Sequence, residues 1–135
     1  MAFRAELTFD DMKFRVLDYN YSMVRPTDHA TGQVTGRMVA GRFTFVVELV
    51  PGQSLWPYIS TNKVAKTTKL VLKGGEKDSA LKTIELTNSY VIDMTEEFSA
   101  VGGQPVTIRF TVTCEKMNES DSGTEHANEW SRSAV

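Results

Sequence analysis

At 135 residues the chain is long enough to bury the core of one domain and too short for two ordinary ones. Hydrophobic residues make up 41% and charged residues 24%, which argues against a disordered or fibrous protein. Lys and Arg number 15 against 17 Asp and Glu, so the net charge of −2 lacks the basic excess of a dedicated nucleic-acid binder.

Phe3, Ala5, Leu7 and Phe9 alternate with Arg4, Glu6 and Thr8, the period-two pattern of a strand with one buried face. Asp10-Asp11 interrupts it, and Phe14, Val16, Tyr19, Tyr21 and Met23 resume an extended pattern to Arg25, which predicts a β-hairpin. The apolar frame shifts between Val16 and Tyr19, predicting a bulge or a strand buried on both faces. Residues 26–36 are polar and punctuated by Pro and Gly, so they predict a long loop. A long strand is expected over 37–50, kinked at Gly41 and ended by Pro51-Gly52.

The segment 54–59 is the one helical candidate, short, with Ser54 as its N-cap and Pro57 in its first turn. Further strands are predicted over 67–72, 81–86 and 89–98, with a kink at Asn88 and turns over 73–78 and 101–105. Val106, Ile108, Phe110, Val112 and Cys114 alternate most cleanly of all. Phe43, Phe45, Phe98 and Phe110 are the aromatic candidates for core filling. From about 117 to 135 the chain reads as a polar, acidic C-terminal tail. The pattern predicts a mainly β fold, a compact antiparallel β-barrel or sandwich with one short α-helix, as a single domain over 1–135.

The longest apolar runs are broken by Thr or Glu, as in 43–50, and none can span a bilayer. Charges at Arg4 and Glu6 stand where an export signal needs apolar residues, so the expectation is cytoplasmic synthesis without a signal peptide. A single cysteine, Cys114, cannot form an internal disulfide and fits a reducing compartment.

No reaction chemistry emerges from the residues. His29 and His126 lack companions at metal-ligand spacing, and Cys114 lies on the apolar face of its strand. Glu96-Glu97 and Asp10-Asp11 are adjacent pairs, and neighbours in a strand point to opposite faces. Gly74-Gly75 and Gly102-Gly103 lack the Gly-Lys-Ser/Thr ending of a phosphate loop. No catalytic residue, metal or cofactor is therefore expected. Residues 63–82 carry a net charge of +4 and residues 115–135 one of −3. These are either solvated surfaces or opposite patches that meet when copies associate. Long regular strands with few prolines also expose unpaired edges, which a closed barrel or subunit pairing would cover.

Particular stretches resemble the Bacteroidetes branch of Hcp, the tube protein TssD of type VI secretion. They are the opening Met1-Ala2-Phe3-Arg4-Ala5-Glu6-Leu7-Thr8-Phe9 with 14–22 behind it, and Asp28-His29-Ala30-Thr31-Gly32, similar to an Asp-Ala-Thr-Gly segment. They continue with 36–41, Ser54-Leu55-Trp56, the stretches 96–102 and 105–112, and Glu125-His126-Ala127-Asn128-Glu129-Trp130, which resembles a Glu-His-Glu-Asn-Glu-Trp terminus.

This resemblance implies a non-enzymatic barrel subunit. Six copies form a ring, rings stack into a hollow tube, and a contractile sheath expels the tube with a VgrG spike at its tip, effectors being carried in the lumen. Secretion would follow without a signal peptide, and neither nucleic acid nor membrane insertion is implied. By the same resemblance Arg25, Asp28, His29 and Gln33 are inter-ring candidates. Trp130, a lone tryptophan in a polar tail, is a subunit-interface candidate. Pro57-Tyr58 and Leu72-Lys73-Gly74-Gly75 depart from the family pattern, and 131–135 extend past its usual end. A specialised paralogue that carries or caps with one cargo therefore stays open as an alternative. A monomeric barrel binding a small ligand, or the tube protein of a phage-like injection particle, stays open beside it.

Overall fold

The computed structural model describes residues 3–75, 79–101, 103, 106–120 and 122–128. In chain order the elements are β1 (Arg4–Phe9), β2 (Met12–Tyr21), β3 (Arg42–Glu48), α1 (Trp56–Ser60), β4 (Ala65–Gly74), β5 (Ser79–Phe98), β6 (Val106–Glu119) and β7 (Thr124–Ala127). Neighbouring strands pair antiparallel in the order β3-β2-β1-β4-β5-β6-β7, and a further β3–β6 pairing closes six strands into a barrel. Closure satisfies the backbone groups that an open sheet would leave along its edges. β6 serves two partners along one side: 107–113 pair with β3 and 116–119 with β7.

The expected alternation is realised in β1, where Ala5, Leu7 and Phe9 are buried and Arg4 faces water. Asp10-Asp11 forms a two-residue turn, with Phe9 opposite Met12 and Asp10 at a positive φ of 59°. The frame shift in β2 is a bulge, since the register with β3 slips between Val16 and Asp18.

Six aromatic rings run through the barrel from one end to the other. Tyr58 of α1 meets Phe9 at 5.0 Å, Phe9 meets Phe110 at 5.7 Å, and Phe110 meets Phe45 at 5.4 Å. Phe45 then contacts Phe43 at 6.2 Å, and Phe43 contacts Tyr21 at 4.7 Å. Four of these contacts are edge-on or tilted and the Phe43–Phe45 pair is stacked at 11°, arrangements that add attraction to the area they bury. These rings fill the barrel interior.

Several expectations are corrected. The strand expected over 37–50 is shorter, because Gly41 at φ +115° turns the chain out of the sheet before Arg42. The strands expected over 81–86 and 89–98 are one 20-residue strand. Asn88 kinks it at φ 54° without ending it, and its side-chain amide donates to Glu115 Oε1 across the pair at 2.8 Å. The polar stretch beginning at 117 joins the sheet through the end of β6 and through β7. Phe98 is 73% exposed, because the β5–β6 hairpin runs past the end of the barrel. In α1 the N-cap position is Leu55 and carries no side-chain cap, while Ser54 Oγ accepts the Trp56 N–H at 3.2 Å. Part of the turn expected over 101–105 and part of that over 73–78 lie outside the described residues.

Candidate assembly surfaces

Residues 22–41 leave the barrel between β2 and β3 as a two-stranded arm. Val24 and Val39 exchange backbone hydrogen bonds of 3.1 and 2.6 Å, and Thr27 bridges Val34. Farther out the Thr35 N–H donates to the Pro26 carbonyl at 2.9 Å and the Asp28 N–H to the Gln33 carbonyl at 2.6 Å. Asp28 Oδ1 accepts the N–H groups of Ala30 at 2.8 Å and Thr31 at 3.0 Å. Those donors, Thr31 first and then Ala30, hold its carboxyl below the usual value of 3.8. Gly32 supplies the left-handed residue of the turn at φ 75°. The polar loop expected here is therefore an ordered ribbon.

Arg25, Asp28, His29 and Gln33 all fall on this ribbon and all are exposed. The structure thus gathers the four on one element. Asp28 and Gln33 face each other across the tip, where Asp28 shapes the turn. Trp130 lies outside the described residues. The sequence reading missed the apolar side of the arm, where Val24 is 58% and Val39 66% exposed. Their sequence signal was the short alternation flanking the Pro/Gly-rich stretch.

The opposite end of the barrel carries a second set of exposed groups. Phe98 and Val101 lie on the β5–β6 hairpin beyond the last β3 pairing, Glu48 with Thr107. Residues 92–107 contain Asp93, Glu96 and Glu97 and no Lys or Arg. At the same end α1 packs under the barrel, where the Tyr58 hydroxyl donates to Asp10 Oδ2 at 2.9 Å. Burial and the Asp10 carboxylate raise the Tyr58 hydroxyl to about 12. Lys63 Nζ sits 4.7 Å from the Tyr58 ring centroid. Trp56, at the start of α1, is 67% exposed. The seven residues of β3 hold the arm end and the hairpin end about 20 Å apart.

The charge patches foreseen from the sequence meet in part within one chain. Lys82 Nζ lies 2.9 Å from Glu119 Oε2 across β5 and β6. On the outer face of β1, Glu6 lies between Lys73 at 3.2 Å and Arg4 at 3.9 Å. Pairs as exposed as these contribute little stability. Cys114 is buried, which pushes its thiol up to about 12 and away from nucleophilic chemistry. His126 Nε2 is 3.0 Å from Asn128 Oδ1. Among the described residues no three His, Cys, Asp or Glu side chains group as metal ligands, and no helix is long and apolar enough to cross a membrane.

A family model described as hemolysin coregulated protein Hcp (TssD) matches residues 1–131. Among curated protein sequences none matches. The fold is similar to that of Hcp1 from Flavobacterium johnsoniae, with a TM-score of 0.78 at 23% identity over 93% of this chain and 99% of that one. It is also similar to Hcp1 from Salmonella typhimurium, with a TM-score of 0.71 at 15% identity over 93% and 92% of the two chains. Secreted protein Hcp3 from Pseudomonas aeruginosa matches with a TM-score of 0.65 at 12% identity over 96% and 99%.

Proposed function

The chain belongs to the hemolysin coregulated protein family, Hcp (TssD), and from that premise we propose that it builds the inner tube of a type VI secretion system. As a single domain, six copies close into a ring and rings stack head to tail into a hollow tube. Sheath contraction expels the tube with its VgrG spike, and the lumen carries effectors. The role is structural, without catalysis, cofactor, nucleic acid or membrane insertion.

One observation carries the stacking. The two ends of the barrel expose different apolar groups, Val24 and Val39 on the arm and Phe98 and Val101 on the hairpin. Unlike ends favour a heterologous, directional contact over a self-complementary one. Large apolar groups left in water are favoured by association. On this reading Arg25, Asp28, His29 and Gln33 line the inter-ring contact, and Trp130 anchors a subunit interface.

Light scattering after size exclusion, with negative-stain images of the same peak, tests the reading. The expected result is a particle of six chains with a central hole, and stacks at higher concentration. A monomer that persists at all concentrations would overturn it. A second reading, a ring-forming paralogue dedicated to one cargo, draws on the five-residue α1 with Pro57 in its first turn. It predicts rings that co-purify with one effector and never stack.

A further inference from the structure

A groove of about 390 Å³ runs along the base of the arm. Val24 and Val39 form its apolar side, and Arg42, Thr113 and Asn128 line it from the barrel. The two valines exchange backbone hydrogen bonds, so their side chains share one face of the arm, and each is more than half exposed. Arg42 and Thr113 stand opposite each other and alternate with the buried Phe43, Val112 and Cys114, which puts the groove on the outer wall.

The strand pairing shows what reaches this groove. Along one side of β6, Thr113 faces Arg42, the Cys114 N–H donates to the Gly41 carbonyl, and the Asn128 N–H donates to the Glu115 carbonyl. β3 therefore begins where β7 ends, and β6 has no free position for a residue that follows Asn128. Extending the register of β7, in which Ala127 faces Lys116, would set residue 130 opposite Thr113, where Arg42 already stands. The barrel interior at that point is filled by Phe43, Val112 and Cys114. The groove is the space that remains, and residue 130 is a tryptophan. Two residues of chain span at most roughly 7 Å, and Asn128 itself lines the groove. A second hollow at the arm end, lined by Met23, Met38, Ile84 and Met117, lies beside His126, behind the direction in which β7 runs.

We infer that the Trp130 indole seats in this groove of its own chain, against Val24 and Val39 and beside the Arg42 guanidinium, and so straps the arm to the barrel. An indole left in water is unfavourable, and the groove offers it apolar contact together with a cation for the ring face. Laid along the two valines, the ring widens the apolar surface at that end, because its far side stays outward. The docking needs no second copy. Its consequence for assembly, that Trp130 serves the subunit interface by fixing the arm, rests on the tube reading.

The test uses the full chain carrying Trp56→Phe, which leaves Trp130 as the sole tryptophan. Compared with N-acetyltryptophanamide, emission at shorter wavelength and several-fold weaker iodide quenching are expected at every concentration, in single chains, rings and stacks alike. Val39→Asp puts a charge into the groove at an exposed position and should return both readings to those of an indole in water. Protection that appears only as rings or stacks form would place the indole on a neighbouring copy and overturn the inference. Full quenching in every state, or protection unchanged by Val39→Asp, also overturns it. A chain that protects Trp130 but never forms rings supports the strap and overturns the tube reading alone.

A second pair of measurements keeps Trp56. Trp130→Ala should speed amide exchange at Val24 and Val39 several-fold while the amides of β6 stay unchanged, and equal exchange at the two valines overturns the strap. In the chain carrying Val39→Cys with Trp130→Cys, a short bismaleimide should join the two thiols within one chain. Cross-linked pairs of chains on a denaturing gel would instead assign the groove to a neighbour's tail and overturn the inference.

Discussion

The side-chain amide of Asn128 occupies the space that a Cβ on Gly41 would need: an ideal Cβ there would fall 2.5 Å from Asn128 Nδ2. That nitrogen donates to the Ala40 carbonyl at 3.1 Å and to the Cys114 carbonyl at 3.0 Å. The Cys114 N–H in turn donates to the Gly41 carbonyl at 3.0 Å, and the Asn128 N–H to the Glu115 carbonyl at 2.8 Å. The joint lies where β3 starts and β7 ends along the side of β6. It also fixes the base of the arm, so one polar side chain links barrel closure to the surface assigned to stacking.

Gly41→Ala should destabilise the chain by roughly 2 kcal/mol or more, since it meets both the positive φ and the Asn128 amide. Asn128→Ala should cost about 1–2 kcal/mol through its lost hydrogen bonds. The two share one space, so the double variant should lose less than the sum. Urea unfolding of the four chains measures this, and strict additivity would show that the contact is unimportant.

Phe110 and Phe98 look alike in the sequence, each an aromatic within an alternating strand, and the fold separates them. Phe110 is fully buried between Phe9 and Phe45, so Phe110→Ala should cost about 3–5 kcal/mol. Phe98→Ala should change the stability of the isolated chain by less than about 0.5 kcal/mol. Thermal unfolding under conditions that keep the chain monomeric gives the comparison, and similar losses would contradict the described hairpin.

Phe98 also shows where sequence pattern stops being informative. It belongs to the same period-two series as Met94, and only the length of the hairpin relative to the barrel decides that it faces water. Alternation sufficed for β1, for the bulge in β2 and for β6, where neighbours along the chain fix the face. At Asn88 the turn-forming residue type suggested an end, but a bond to Glu115 lets the strand continue through a left-handed residue. β7, three polar residues followed by Ala127, pairs because the remaining stretch of β6 needs a partner, which a local pattern does not encode. The tip of the arm was legible as a polar loop from its Pro and Gly, but its pairing into a ribbon was not, since Val24 and Val39 meet across it from segments read as parts of two barrel strands. The hollow at the arm end was not legible either, because Met23, Met38, Ile84 and Met117 come from segments far apart in the chain.

Thr68 is fully buried in β4, and its hydroxyl has no partner among the described residues. Thr68→Val keeps the shape and removes the orphan hydroxyl, so it should stabilise the chain by about 1 kcal/mol. A rise in the urea midpoint at unchanged slope is the expected readout. A loss of stability would show that the hydroxyl has a partner, such as an ordered water.

The arm tip should loosen in acid before the barrel does. Its turn is held by the ionised Asp28 carboxylate, whose folded pKa lies below the ordinary 3.8 because the Thr31 and Ala30 N–H groups donate to it. For a carboxyl with a lowered pKa, the contribution is fully present above the unfolded value and is lost as pH falls through the folded one. Amide exchange at Ala30 and Thr31 should therefore be steady near about pH 5 and rise, relative to the intrinsic rate, below the ordinary carboxyl value. Asp28→Ala should show the faster exchange at all pH values, with the barrel amides unchanged. If the tip instead kept its protection through full protonation of Asp28, the backbone bonds between Pro26 and Thr35 and between Asp28 and Gln33 would suffice to hold it.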